Sequence, residues 1–289
     1  MRVVVTGANG MLGSDVVAVA SASGHEVIAL GREDLDVTDP AAVERAIRRE
    51  SPGAIFNCAA WTDVDGAEEH EAEASLVNGE GAAFVADAAS KVDAELVHVS
   101  TDYVFDGTKE GPYLEGDATS PINAYGRSKL AGERAVELGC KRSFVVRTSW
   151  LFGPNGGNFV ETMLRLSAGG EPVMVVTDQI GCPTYTGHLA IGLVRLLDGG
   201  AYGIHHMAAG GECSWYDFAK EIFKAASLDT KVVAADSATF SRPARRPANS
   251  VLRSARDAPI ELPDWKRGLH DYMERRGSAE ADEARGEVA

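Results

Sequence analysis

The chain has 289 residues, with 28 Lys+Arg against 43 Asp+Glu and a formal net charge of −15. That balance excludes general binding to a nucleic-acid backbone, which needs a basic footprint. With 45% apolar and 25% charged residues, the chain can bury a sizeable core, and no apolar run approaches the roughly 18–20 residues of a membrane span.

In chain order, Val3-Val4-Val5 predicts a first strand and Met11 to Ser23 a helix. Glu26 to Leu30 is the next strand, a short third strand precedes Asp36-Val37, and residues 40–50 are helical with Pro40 in the first turn. Ala54 to Cys58 reads as a strand, 67–91 as a long helical stretch, Glu95 to Ser100 as a strand, 123–138 as a helix and Ser143 to Arg147 as a strand. Strands alternating with helices, with little sign of tight hairpins, predict a doubly wound α/β domain with a parallel sheet over residues 1–150. Its ligand belongs in the crevice beyond the strand C-termini.

Past residue 150 the rhythm loosens into a smaller lobe over 151–277. Helices are expected at 158–167, 187–197 and 214–226, with short strands near 173–176 and 202–206 and later segments returning to the first sheet. Residues 278–289 carry four acids and one Arg with no large apolar anchor, the pattern of a disordered acidic tail. His205-His206 on a strand face opposite sides and read as one core and one surface residue, not a ligand pair.

The glycine-rich turn at Gly7 comes too early for a secretory leader. Cys58, Cys140, Cys182 and Cys213 are scattered without a C-x-x-C pair. Reduced thiols in a cytoplasmic protein are expected, with no disulfide framework and no zinc site. Arginine outnumbers lysine 20 to 8, and abundant acid with little lysine suits a protein adapted to high salt.

Directly after the first strand comes Gly7-Ala8-Asn9-Gly10-Met11-Leu12-Gly13. A strand, a glycine turn and a helix start form the context in which free N–H groups and the positive helix end meet a dinucleotide pyrophosphate. The next strand ends at Gly31-Arg32, where an NAD-selective fold often places an acid. Arg32 is suited to a 2′-phosphate, which favours NADPH while leaving NADH open. Asp36 and Val37 are expected beside the adenine.

Tyr125 and Lys129 stand four apart on one helix face, and Ser100-Thr101 ends a strand. In a parallel sheet, a strand end and the following helix both border the crevice. A carbonyl that receives hydride also needs a proton, and a nearby ammonium is expected to lower the phenol of Tyr125 toward the range useful for acid–base work. Thr101, with Ser100 as second choice, is expected to polarise the substrate oxygen.

These motifs resemble the extended short-chain dehydrogenase/reductase family. Asn57-Cys58-Ala59-Ala60-Trp61-Thr62-Asp63-Val64-Asp65, Ser100-Thr101-Asp102-Tyr103-Val104-Phe105-Asp106-Gly107, Arg147 to Gly153, Asp178 to Thr184 and Arg246-Pro247-Ala248-Asn249-Ser250 are similar to the dTDP-4-dehydrorhamnose reductases within it. The resemblance implies NADPH-dependent reduction of the C4 ketone of dTDP-4-dehydro-L-rhamnose, with Thr101, Tyr125 and Lys129 as the catalytic set. It places Asn9, Met11, Leu12, Ala59 and Ala60 at the cofactor together with Tyr125 and Lys129, the lysine being suited to the nicotinamide ribose. It places Trp150 on the sugar with Ser100, Asp102 and Asn158 nearby, and Arg246 and Asn249 toward the diphosphate of the dTDP-sugar. The arginines Arg242, Arg245 and Arg246 gain weight from the acidic background.

Some reductases of this type bind Mg²⁺ at a homodimer contact. Asp15 matches one such position, but no acid stands near Thr186-Gly187-His188-Leu189 for a second ligand. Two further readings stay open: a nucleotide-sugar epimerase or dehydratase of the same fold, and a non-catalytic NADP-binding regulatory subunit of methionine adenosyltransferase. A dehydratase is expected to carry a Glu after Thr101-Asp102, and Tyr103 is there.

Overall fold

A computed structural model describes residues 1–286 of the chain. The first half alternates as expected: β1 Arg2–Thr6, α1 Met11–Ala22, β2 Glu26–Leu30, α2 Pro40–Glu50 and β3 Ala54–Asn57. Asp39 caps α2 by accepting from the N–H groups of Ala41 and Ala42, with Pro40 at the first helical position. The long helical stretch is divided into α3 Gly66–Glu69, α4 Glu71–Ser75, a π-turn Leu76–Glu80 and α5 Gly81–Lys91. Then come β4 Glu95–Thr101, α6 Ala124–Gly139 and β5 Ser143–Thr148. The third strand expected before Asp36 does not form. Residues 31–39 are turns, in which Asp34 accepts from Gly31 N–H and Asp36 from Thr38. Such side chain–backbone bonds compete with a strand ladder.

The second half contains β6 Leu151–Phe152, α7 Phe159–Ser167, β7 Val173–Val176, β8 Ile180–Gly181, β9 Thr184–Tyr185, α8 Thr186–Arg195, β10 Gly203–His206, β11 Cys213–Ser214, α9 Trp215–Ala225, β12 Val232–Ala235 and α10 Trp265–Gly286. The last helix runs into the segment expected as a disordered tail. Its Ala, Glu and Arg residues are strong helix formers, and 287–289 lie outside the described residues.

The main sheet has six parallel strands in the order β10-β5-β4-β3-β1-β2. The chain steps from β1 to β2 in one direction and then from β3 to β5 in the other, so the topological switch lies between β1 and β3. That is the crevice in which doubly wound sheets bind ligands. Val3, Val4 and Val5 are completely buried because both faces of the sheet are covered. Val3 and Val5 pack toward α1 and α8, whereas Val4, Ile55, Leu96 and Val145 pack toward α2, α5 and α6. Each such side chain contributes about 1.5–3 kcal/mol of burial.

A separate aromatic core of Phe152, Tyr185, Phe218, Trp265 and Tyr272 holds the second lobe, and β7 pairs with β12 in parallel. Residues 203–206 return to the first sheet beside β5. Both His205 and His206 are buried, at 6% and 5% exposure, so neither is the expected surface residue. His205 bonds the Ala201 carbonyl, and His206 those of Tyr113 and Arg253. All four cysteines are free thiols. Among the described residues no helix is long and apolar enough to cross a membrane.

Candidate active site

The glycine loop joins β1 to α1 at the switch point. Gly7 has φ +63°, and a Cβ there would stand 2.7 Å from the backbone N of Ala59. Only glycine allows this turn to pass so close to the strand end of β3. Gly10 is the N-cap of α1 without any side-chain cap, leaving the first N–H groups of Met11, Leu12 and Gly13 directed out of the helix. Such a cradle fits a pyrophosphate, with Asn9 against Gly31 at the end of β2. Arg32 is exposed in the turn after β2, near the carboxylate of Asp36, while Val37 is buried in the core rather than open to a ligand.

Across the crevice, Asn123 caps α6 by accepting from Gly126 N–H, so the helix starts at Ala124 and presents Tyr125 and Lys129 on one face. Thr101 ends β4; its hydroxyl donates to Asp102 Oδ1 at 3.0 Å, accepts from the Tyr103 N–H, and lies beside the Tyr125 phenol. Lys129 is 3% exposed, and its Nζ donates to the Val99 carbonyl at 2.7 Å. The three expected catalytic residues are therefore brought together.

Their electrostatics differ from the sequence expectation. Burial pushes the Tyr125 phenol up to about 12, opposed by the neighbouring Thr101 hydroxyl, and the nearby Asp102 charge adds to the rise. The ammonium expected to lower it is engaged with the Val99 carbonyl. Tyr125 is thus a neutral phenol at physiological pH, the form that can donate a proton. Burial brings Lys129 down to about 8, with the Glu133 charge opposing. Asp102 is pushed up to about 7 by burial, opposed by the neighbouring Ser250 and Thr101 hydroxyls; Oδ1 accepts from Thr101, and Oδ2 is buried without a hydrogen-bond partner.

Other expected residues are placed as follows. Ser100 points at Glu133, donating at 2.6 Å, and so braces the sheet instead of facing substrate. Asn158 caps α7 and donates to the Gly153 carbonyl, and Asn249 donates to the carbonyls of Lys109 and Gly111. Both amides are occupied with shaping loops, as Asn amides commonly are at caps and turns. Trp150 sits at φ +48° and stacks flat on Trp215, ring centroids 3.5 Å apart. Its ring crosses Gly181 so closely that a Cβ there would lie 2.4 Å from Trp150 Cε2.

Arg246 grips Asp65, and Arg242 reaches the same carboxylate at 3.4 Å. The Arg246 side chain also lies beside the Tyr103 phenol, whose ring meets Tyr125 edge-on at 5.8 Å. Three partners were not singled out from sequence: Asp65 as a clamp, Trp215 as the support of Trp150, and Glu133. Only Glu133 left a signal, lying one further turn along the face of Tyr125 and Lys129.

Asp15 is buried on α1. Its Oδ2 accepts from the Thr186 hydroxyl and its Oδ1 from the Arg275 guanidinium, both at 2.6 Å. A cationic side chain already neutralises this carboxylate, so these residues do not fit a divalent cation.

A doubly wound sheet, a glycine loop at its switch point and a Thr–Tyr–Lys constellation across the crevice define a dinucleotide-dependent oxidoreductase. The sequence profile of the family described as RmlD substrate binding domain matches residues 1–277. The chain is 44% identical over 279 residues to a dTDP-4-dehydrorhamnose reductase of Mycolicibacterium smegmatis, covering 94% of this chain and 85% of that one. It is 48% identical over 229 residues to a dTDP-4-keto-6-deoxy-D-glucose reductase of Streptomyces niveus, covering 79% and 80%. The crystal structure of the dTDP-4-dehydrorhamnose reductase of Bacillus anthracis in complex with NADP superposes with a TM-score of 0.92 at 38% identity, over 95% of this chain and 99% of that one. The chain belongs to the dTDP-4-dehydrorhamnose reductase family of extended short-chain dehydrogenases/reductases.

Proposed function

We propose that this protein reduces the C4 ketone of dTDP-4-dehydro-L-rhamnose to the alcohol of dTDP-L-rhamnose, with NADPH as reductant. The observation that carries the reading is the placement of Tyr125 and buried Lys129 on one face of α6 against the end of β4, with the neutral phenol beside the Thr101 hydroxyl. NADPH supplies hydride to C4 when bound, held by Gly7, Gly10 and the N-terminus of α1, with Arg32 toward the 2′-phosphate. Tyr125 gives its proton to the developing C4 alkoxide, because a preplaced acid avoids a free alkoxide in a dry site. Thr101 holds the carbonyl oxygen at the phenol. Lys129, charged below about 8, stabilises the phenolate left behind until solvent returns its proton.

In this reading residues 1–150 bind chiefly the dinucleotide and 151–277 chiefly the sugar nucleotide. Trp150, held in its stack on Trp215, borders the sugar, and Arg242, 60% exposed beside the Asp65–Arg246 pair, offers a cation to the diphosphate. The Streptomyces niveus relative favours a second reading, reduction of the same ketone on a sugar of different stereochemistry. Following NADPH oxidation with each dTDP-4-dehydro-6-deoxy sugar, and reading product stereochemistry by NMR, decides between them. No NADPH consumption with either sugar overturns both.

A further inference from the structure

Tyr125, Lys129 and Glu133 repeat every four residues along one face of α6. Each meets one of the last three residues of β4. Tyr125 lies beside the Thr101 hydroxyl, Lys129 Nζ donates to the Val99 carbonyl at 2.7 Å, and Ser100 Oγ donates to Glu133 Oε1 at 2.6 Å. Glu133 is also held from β5, where Arg147 donates to both its oxygens at 2.9 and 2.7 Å. Ser100, Arg147 and His206 are direct cross-strand neighbours on β4, β5 and β10. Arg147 Nη1 lies 3.4 Å from His206 Nε2.

Glu133 and Arg147 are 1% and 2% exposed. A fully buried ion pair stabilises a fold little better than apolar side chains of the same volume, because desolvation offsets the attraction. Its place one turn beyond Lys129 calls for another role. We propose that Glu133 is a positioning residue for the reduction: braced by Arg147 and Ser100, it fixes where α6 lies along β4 and sets a fixed negative charge behind the Lys129 ammonium. This rests on the reading of Tyr125 and Lys129 given above.

The groups facing this array are limited. Lys129 is faced by Glu133 from its own helix, by Cys58 beyond β3 and by His98 on β4. Burial pushes the Cys58 thiol up to about 12 and His98 well below the usual imidazole range, so both stay neutral between pH 6 and 10. Behind Glu133, burial brings His206 down to about 4, also neutral there. The acidic group set against Lys129 is Glu133, which itself is paired with the Arg147 guanidinium.

The test compares wild type, Glu133→Gln and the double variant Glu133→Gln/Arg147→Met. Glu133→Gln keeps an acceptor for Ser100, and the double variant leaves no unpaired arginine. Far-UV circular dichroism and cooperative melting establish folding. Both variants are expected to lose about 10- to 100-fold in kcat, the range for a slight misplacement of reacting groups. In Glu133→Gln the alkaline limb of kcat is expected to move to lower pH by about one unit, and by less in the double variant, which also loses the Arg147 charge. NADPH fluorescence titrated against pH gives a second readout: Lys129 would hold the nicotinamide ribose as the ammonium, so a break near 8 moves down in the same way in Glu133→Gln. Wild-type kcat with an unmoved limb, or an unmoved break in NADPH binding, overturns the proposal. If wild type oxidises no NADPH with either sugar but the binding break still moves in Glu133→Gln, the substrate reading fails and the positioning role stands. If the double variant does not fold, Glu133→Gln alone decides by the same two readouts.

Discussion

Arg246 holds Asp65 through both arms of its guanidinium, Nη1 to Oδ1 at 2.6 Å and Nη2 to Oδ2 at 2.7 Å, across 181 residues of sequence. The pair ties the Arg- and Pro-rich segment 241–250 to the loop after β3, beside Tyr103 and Tyr125. Hydrogen bonding to Arg246 holds the Asp65 carboxyl down at about 2. A depressed carboxyl stabilises the fold above its unfolded pKa, and that stability is lost as pH falls from about 4 to about 2. With the Asp65 side chain 29% exposed, solvent screening keeps the effect to about 1–2 kcal/mol. Asp65→Asn is expected to lower the urea midpoint at pH 7, with a difference from wild type that shrinks below pH 4. An equal difference at pH 7 and pH 3.5–2.5 would sink the argument.

Tyr125→Phe removes the proton donor while keeping the ring that packs against the Ala67, Ala74 and Ala124 cluster. The expected loss is about 10²–10⁴ in kcat, the usual worth of a positioned acid. NADPH affinity should change little. Stopped-flow hydride transfer and fluorescence titration separate the two, and wild-type turnover removes Tyr125 from the chemistry.

The parallel architecture was legible because buried strands leave continuous β-branched runs, as at Val3-Val4-Val5, and because Asp39-Pro40 and Asn123 are local start signals for helices. The glycine loop and the Tyr125–Lys129 spacing were legible for the same reason, since each is a local pattern with a local cause. Three things were not. The phenol's rise to about 12 depends on how deeply Tyr125 is buried and on where the Lys129 ammonium points. Neither follows from spacing. The amides of Asn158 and Asn249 were read toward substrate, but an Asn side chain serves a loop carbonyl as readily as a ligand. The Asp65–Arg246 and Trp150–Trp215 contacts join residues far apart in sequence, and only the packed second lobe decides them.

Gly13 tests the loop directly. A Cβ at this position would lie 2.2 Å from the Gly7 carbonyl oxygen and 2.9 Å from the Ala8 Cα. Both are backbone atoms, so α1 must move away from β1 to admit an alanine. Gly13→Ala is expected to cost about 1–3 kcal/mol of stability and to weaken NADPH binding at least tenfold, since the N–H groups of α1 shift with the helix. Isothermal titration and thermal melting measure the two effects. Unchanged affinity would place the dinucleotide elsewhere.

Asp102 gives a pH signature of opposite sign to that of Asp65. Burial pushes its carboxyl up to about 7, so between about 4 and 7 the folded state binds the proton more tightly than the unfolded chain does. The stability this contributes is complete below about 4 and is lost as pH rises through about 7. Asp102→Asn mimics the protonated form and should remove that component. The variant is expected to gain on wild type by about 1–3 kcal/mol between pH 5 and pH 8. Urea unfolding at the two pH values reads this directly, and a parallel pH dependence for both proteins would show that Asp102 is ionised throughout.

Asp15 and Arg275 join α1 to α10, with the Thr186 hydroxyl of α8 on the second carboxylate oxygen. Asp15 is 2% exposed at its side chain and Arg275 46%. Removing the arginine leaves a nearly buried carboxylate with only a hydroxyl partner, whereas removing the carboxylate frees an arginine that water can solvate. Arg275→Met is therefore expected to cost about 2–4 kcal/mol, more than Asp15→Asn, in which the amide can still accept from Thr186. The same pairing predicts that millimolar MgCl₂ or excess EDTA leaves the melting temperature of the wild type within about 1 °C, because a shift needs a ligand that binds the folded state preferentially. In Arg275→Met the carboxylate loses its cation, and Mg²⁺ is expected to restore part of the lost stability. A wild type destabilised by EDTA and rescued by Mg²⁺ would mean that the cation displaces Arg275 from Asp15.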